Sequence, residues 1–357
     1  VKTNSILLKN ALCAFLSLLI LPASVSAAAH SSDCPPVVVL RNGDLYFVRH
    51  PLHSGSIRRL TSAGGFSGVE TNGEALSTIT RKSGIGLLTP PYIKVKPLRL
   101  GDGWVYVEWL DNGRCLLGGR AITHLDADGG GWLVRLGKVV SCHKVLAAAS
   151  CDFVVNTCIR PSPDGKLIAA GGTCDYLKIL KNGSWTTLSL PHSLLEPSIK
   201  AQLRGSLTGF DWLNNSNLLI SFRNPVMPGE VISGGLYLLN VKTKQWERIC
   251  FPPKSDVESV CRVPKSNLIV VGLQYVDAGG DLPYRMKRIY LVDAGTGKKK
   301  LVHIPAPATV SGVSPDGSRL LLLMQASQYT DDCYIYTFKS KTLHLVAKNV
   351  TEAIWLQ

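Results

Sequence analysis

The sequence lacks most of the marks that announce a reaction. None of its ten cysteines stand in C-x2-C spacing, so a structural zinc site has no starting pair. No G-x-S-x-G elbow occurs, and Gly205-Ser206-Leu207-Thr208-Gly209 has the wrong spacing for a serine nucleophile and precedes a strand. The formal charge of +14 is scattered; its longest cluster, Lys298-Lys299-Lys300, is too short for the basic stripe that nucleic acid requires. Past residue 29 no stretch approaches the ~18 consecutive apolar residues of a membrane-spanning helix. Helical periodicity is also scarce, with only 191–202 reading as a helical turn.

What is present begins with a leader. Lys2 and Lys9 precede the apolar run Ala11 to Leu21, and a small-residue stretch follows from Ala23 to Ala29. This is the pattern of a secretory signal peptide over 1–29, with cleavage expected between Ala27 and His30 and a propeller domain over 30–357. Loss of the two lysines lowers the charge to +12, and the mature chain is expected in the periplasm or secreted. Cys13 lies in the leader, which leaves nine cysteines for an oxidising compartment. Short separations suggest Cys142 with Cys151, Cys250 with Cys261, and Cys158 with Cys174, although spacing alone does not fix connectivity. Cys115, in an apolar strand pattern, reads as a small buried hydrophobe.

The interior of the sequence repeats. Ser162-Pro163-Asp164-Gly165 leads into Lys166-Leu167-Ile168-Ala169-Ala170, and Ser314-Pro315-Asp316-Gly317 leads into Ser318-Arg319-Leu320-Leu321-Leu322-Leu323. Proline fixes φ, aspartate bonds its own backbone and glycine takes positive φ, so each copy is a tight turn entering a buried strand. These eight residues are structural. Degenerate copies at 72–73, 112–113, 214–215 and 265–266 set turns 40 to 52 residues apart. Four short strands at that period describe a propeller blade.

The expected architecture is all-β: a single β-propeller of seven four-stranded blades, with six or eight also open because the second blade is weakly marked. The first blade has only three strands of its own, 37–40, 44–49 and 56–61. The apolar segment 353–357 supplies the fourth if N- and C-terminal strands pair, which closes the ring and removes both open edges. In the third blade the strands read 104–110, 114–118, 121–127 and 132–136, with 138–150 an excursion on one face. The tryptophans at 104, 109, 132, 185, 212, 246 and 355 recur with the blades and suit packing between sheets.

Ser-Pro-Asp-Gly before an apolar strand, then an Ile-Tyr or Leu-Tyr strand and a Gly-bearing turn, resembles the TolB-type, WD40-like propeller repeat. The second element is carried by Leu45-Tyr46-Phe47, Leu236-Tyr237-Leu238-Leu239 and Ile289-Tyr290-Leu291-Val292-Asp293 with Thr296-Gly297. The resemblance covers most of 37–357 and implies a propeller with these turns at its hairpins.

No residue is assigned as catalytic, metal-binding or cofactor-binding, and no cofactor is expected. The candidate ligands His50, His53, His124, Glu108 and Asp211 fall on strands and loops of different blades, and His50 and His53 read as loop residues rather than as ligands. The leading function is a non-catalytic scaffold or binding module for a protein or peptide of the bacterial cell envelope, acting as a monomer without nucleic acid. The alternative is a small-molecule enzyme of the lactonase or cyclotransferase kind with a metal in the channel.

Overall fold

Alternating apolar residues and tight turns give the chain its strands, which a computed structural model describes over residues 34–53, 57–62, 64–71, 76–80, 84–88, 96–98, 104–111, 114–119, 131–135, 143–144, 158–171, 176–182, 184–189, 206–223, 235–249, 251, 255–277, 284–327 and 329–356. Residues 1–33, where a leader is expected, Cys142, Cys151, Cys174, Cys250, His124 and the helical turn expected at 191–202 lie outside them.

Sheet 1 begins with β1 (Val37–Arg41), β2 (Asp44–Val48) and β3 (Ile57–Arg59). Sheet 2 holds β4 (Phe66–Thr71), β5 (Leu76–Thr80), β6 (Gly84–Leu88) and β7 (Lys96–Leu98). Sheet 3 holds β8 (Trp104–Asp111), β9 (Arg114–Gly119), β10 (Gly131–Arg135) and β11 (His143–Lys144). Sheet 4 holds β12 (Cys158–Pro161), β13 (Leu167–Gly171), β14 (Tyr176–Lys181) and β15 (Ser184–Ser189). Sheet 5 holds β16 (Ser206–Trp212), β17 (Asn217–Arg223), β18 (Gly235–Asn240) and β19 (Gln245–Ile249). Sheet 6 holds β20 (Ser255–Arg262), β21 (Leu268–Asp277), β22 (Tyr284–Asp293) and β23 (Lys299–Val302). Sheet 7 holds β24 (Ala308–Val313), β25 (Arg319–Gln325), β26 (Asp331–Thr337) and β27 (Thr342–Val350), and β28 (Glu352–Trp355) follows.

Among the described residues these strands make seven four-stranded antiparallel sheets, each in chain order except that β28 joins β1 as the innermost strand of sheet 1. Val37 pairs with Trp355 and Leu40 with Glu352. Innermost strands touch in a cycle: β28 to β4, β8, β12, β16, β20, β24 and back to β28. Residues 35–357 thus form a β-propeller, and the core lies between its sheets. Val263, Val270, Ile289, Val310, Leu320 and Leu322 fill the wedge between sheets 6 and 7. Val38, Leu45, Leu76, Leu88 and Leu356 fill that between sheets 1 and 2. Trp212 is buried between sheets 4 and 5, where its indole N–H donates to the Arg160 carbonyl at 2.8 Å.

Sheet 3 departs from the sequence-based expectation. The run 131–135, expected as the fourth strand, is the third: Trp132 pairs with Leu117 and Val134 with Cys115. The fourth is β11, inside the segment expected as an excursion. The bulky run Trp132-Leu133-Val134 gives β9 large cross-strand partners; the run 121–127 expected in that place lies outside the described residues.

Two glycines are dictated by the backbone. Asn42 and Gly43 take φ of 50° and 74°, as a type I′ hairpin requires, and a Cβ on Gly43 would stand 2.8 Å from the Gly65 nitrogen. Gly317, at φ 74°, places its Cα so close to the preceding blade that an added Cβ would stand 3.1 Å from Val263.

Candidate functional site

The Ser-Pro-Asp-Gly aspartates spend their carboxylates on their own turns. Ser162 donates to Asp164 at 2.7 Å, Lys166 N–H donates to the same oxygen at 3.2 Å, and Leu167 N–H returns to the Ser162 hydroxyl at 2.9 Å. In the second copy Ser318 N–H donates to Asp316 at 3.1 Å and Arg319 N–H to Ser314 at 2.9 Å. The hydrogen bonds hold both aspartate carboxyls below the usual range. For Asp164 the Ser162 hydroxyl contributes most; for Asp316 burial pulls upward and is outweighed by Ser314 and Ser318. At these turns a carboxylate has little left to offer a ligand.

The inner strands carry the other polar groups, and their geometry is interrupted by bulges. Pairing of the innermost strand slips in sheets 2, 3, 5, 6 and 7, at residue 258 in sheet 6 and residue 311 in sheet 7. A bulge re-aims a side chain, which is why bulges gather beside binding sites. Ser311, at its bulge, donates to the Ala353 carbonyl of the next sheet at 2.5 Å. Glu258, at its bulge, accepts from the Lys287 ammonium at 2.7 Å. The same ammonium donates to the Thr309 hydroxyl at 2.6 Å, and Thr309 stands 3.5 Å from Glu258. This triangle joins sheets 6 and 7 across their wedge.

Two further carboxylates stand at the start of β26. Asp331 opens β26 and pairs across the sheet with Gln325. Burial lifts its carboxyl above the usual aspartate range; Lys287 opposes the shift, while Asp332 and Glu258 add to it. Asp332 accepts from Asn349 N–H at 3.0 Å. The loop before Asp331 is tied by its own hydroxyls: Ser327 and Thr330 share a hydrogen bond of 2.7 Å, and the N–H groups of Tyr329 and Thr330 donate to Ser327 at 3.2 and 3.1 Å. That brace presents Tyr329 with 82% of its surface exposed. Gln274 lies opposite Lys287 in the sheet register and is only 6% exposed, yet among the described residues its amide N–H meets no acceptor. The Ser259 hydroxyl is likewise buried without a partner.

At the other end of the inner strands Asp211 lies near Arg160 and Arg262. Enclosure of its carboxyl raises the pKa, against the two guanidinium groups and the Trp212 N–H at 2.8 Å. Cys261, nearby, carries a free thiol rather than the expected bridge to Cys250. Burial first, then Asp211, push that thiol up to about 12, so it is a packed thiol and not a nucleophile at neutral pH.

The remaining expected residues stay apart. His50 and His53 are exposed in the turn after β2, where His53 N–H donates to the His50 carbonyl at 2.9 Å. Cys158 lies in β12 and Glu108 in β8. Among the described residues no three of His, Cys, Asp and Glu converge as a metal site. The Glu258, Lys287, Thr309 and Asp331 grouping was not anticipated, because its members are 22 to 51 residues apart where they touch. The one local hint is Val257-Glu258-Ser259-Val260, where two polar residues in succession break a period-2 pattern.

No family model matches the chain, and no curated protein does. Solved structures do. An oligogalacturonate lyase in complex with manganese is 15% identical, covers 88% of this chain and 85% of its own, and has a TM-score of 0.60. A puromycin hydrolase is 14% identical, covers 90% of this chain and 55% of its own, and has a TM-score of 0.57. Both likenesses establish the propeller fold. TolB from Acinetobacter baumannii is 13% identical over 78% of this chain and 67% of its own, with a TM-score of 0.44; the fold assignment rests on the first two.

Proposed function

We propose that this chain is an exported, non-catalytic propeller that binds a protein or peptide partner in the bacterial cell envelope. The observation that supports it most is Tyr329, an aromatic side chain held almost fully in solvent by a hydrogen-bonded loop on the edge of a rigid ring. Exposing a large ring in that way costs solvation free energy, and aromatic anchors on braced loops are what binding surfaces use. The leader over 1–29 and the cysteine-rich composition support export. A photo-crosslinking residue at Tyr329, with the same residue at Lys300 as control, tests the proposal in envelope extracts. An adduct to one partner protein from position 329 alone is expected. Absence of adducts, or the same adducts from both positions, overturns it.

A second reading is a small-molecule enzyme with a channel metal, and it draws on solved propellers that are enzymes, one of them with manganese bound. Metal analysis of the purified protein separates the two, since that reading requires about one tightly held transition-metal ion per chain.

A further inference from the structure

We infer that one face of the ring, built by the turns that join first to second and third to fourth strands, docks on a bilayer of anionic phospholipid. In a four-stranded antiparallel sheet both kinds of turn lie at the same end, and in a propeller those ends make one face of the ring. The loop bearing Tyr329 joins a second strand to a third and lies on the other face, so the inference is independent of what Tyr329 binds. Six exposed lysines stand at the outer turns: Lys181 in sheet 4, Lys242 and Lys244 in sheet 5, Lys298 in sheet 6, and Lys339 and Lys341 in sheet 7. Charge that is scattered along the sequence is gathered by the fold. The ion pairs of the described residues leave all six out. The acids at the same face are spent on their own turns: Asp293 accepts from the Gly295 and Thr296 N–H groups at 2.9 Å, as Asp164 and Asp316 accept from theirs.

The backbone singles out two of these lysines. Lys244 N–H donates to the Asn240 carbonyl, Gly297 N–H to the Asp293 carbonyl and Lys341 N–H to the Thr337 carbonyl, each at 2.8 Å, so three successive sheets make the same turn. The φ angles there are 59°, 68° and 56°. Glycine takes that conformation without strain and sheet 6 uses it, whereas sheets 5 and 7 hold a lysine against its steric preference. The fold alone asks for glycine at this position; what lysine adds is charge. The residue type also selects the partner. A lysine is a point charge on a flexible stem and suits a laterally fluid layer of phosphates, while a folded acidic site or a duplex favours the planar fork of arginine. Arg319, at the inner turn of sheet 7, is already committed to Asp316 at 3.3 Å. The opposite face has Asp331, Asp332 and Glu352 at its strand starts, which an anionic surface repels, so docking has one orientation and leaves the Tyr329 loop facing away from the bilayer.

The test is vesicle co-sedimentation of the full chain, with phosphatidylcholine vesicles set against vesicles that also hold about a third phosphatidylglycerol. The zwitterionic vesicles measure whatever the apolar run 11–21 contributes, and the anionic ones should bind about tenfold or more tightly, by a margin that shrinks as salt rises. Each lysine at such a surface is worth about fivefold in affinity. Lys244→Gly combined with Lys341→Gly should therefore weaken anionic binding roughly five- to twentyfold while melting as the parent does, because glycine suits both turns. Lys242→Gln combined with Lys339→Gln, at ordinary backbone angles, should weaken it to a similar extent and replaces the glycine pair if that pair melts lower. Lys348→Gln, at the far end of β27, should leave binding unchanged. Soluble polyglutamate should displace the chain no better than salt of equal ionic strength. Equal binding to the two kinds of vesicle, turn variants that bind as the parent does, or displacement by stoichiometric polyglutamate overturns the proposal, the last by assigning the face to an acidic protein.

Discussion

Sheets 1 and 7 each begin a strand with an aspartate, and the two carboxyls are shifted in opposite directions. Asp44 is buried at the start of β2, ion-paired with Arg59 at 2.5 Å, and accepts from Thr61 at 2.9 Å and Gly64 N–H at 3.1 Å. Burial alone would lift its carboxyl; those hydrogen bonds and the Arg59 charge outweigh it and hold the group below the usual range. Asp331 feels burial without such bonds, and its carboxyl is lifted. A carboxylate surrounded by donors is a structural joint, whereas one short of donors is open to whatever brings them. Sheet 1 closes the ring through a carboxylate fully supplied with donors, whereas Asp331 in sheet 7 is held without them.

The sharpest break of that contrast is removal of residues 353–357. Ala353, Trp355 and Leu356 are buried there, and β1 would lose its inner partner. Burial of the two large side chains alone is worth about 3–6 kcal/mol, a sizeable part of a typical domain's ~5–15 kcal/mol. The truncated chain should melt far below the parent and aggregate through its open edge. A parental melting curve would show that sheet 1 is not the joint.

Asp44→Asn comes next, at about 1–3 kcal/mol, because the Arg59 and Thr61 donors lose a charged acceptor. Its pH dependence follows from the sign of the shift. A folded pKa below the unfolded one contributes stability above the ordinary aspartate value, and this is lost as pH falls through the folded pKa. Urea titrations should therefore find a smaller acid-side loss of stability in the variant. An unchanged acid slope would remove Asp44 from the comparison.

Lys287→Met should cost less, about 1–2 kcal/mol, through an uncompensated Glu258 at the wedge. Asp331→Asn should be neutral or slightly stabilising at neutral pH. Its folded pKa is raised, so ionisation disfavours the folded state as pH rises through the unfolded value. Thermal melts of both variants check the order, which is reversed if Asp331 is a joint like Asp44.

The smallest stability effect belongs to Tyr329→Ala, within about 0.5 kcal/mol, since the ring buries little. If this variant melts as the parent while losing the crosslinked partner, stability and recognition are divided between the two regions.

Much of the fold was legible because its signals are local. The Ser-Pro-Asp-Gly turns, Asn42-Gly43 and the apolar runs after them each state a conformation within a few residues. Sheet 3 was misread where locality failed: residues 121–127 resemble a strand in isolation, and only the pairing of Trp132 with Leu117 reveals which run β9 chooses. Glu258 was invisible as a site residue for a related reason. Its role depends on a bulge, on Lys287 two strands away and on Thr309 in the next sheet, and no spacing in the sequence records that meeting.

The pairing of β1 with β28 also governs time. The Thr351 hydroxyl that donates to the Leu40 carbonyl stands 311 residues downstream of it. A chain delivered from its N-terminal end makes β1 early and β28 very late, so one edge of the first sheet waits unpaired through nearly all of synthesis. During that interval any extended segment, including another copy of β28, competes for the position. A circular permutant that joins residue 356 to residue 34 and opens the chain at residues 303–307, between sheets 6 and 7, would make the two strands neighbours in sequence and divide no sheet. It should refold faster from denaturant and with less aggregate.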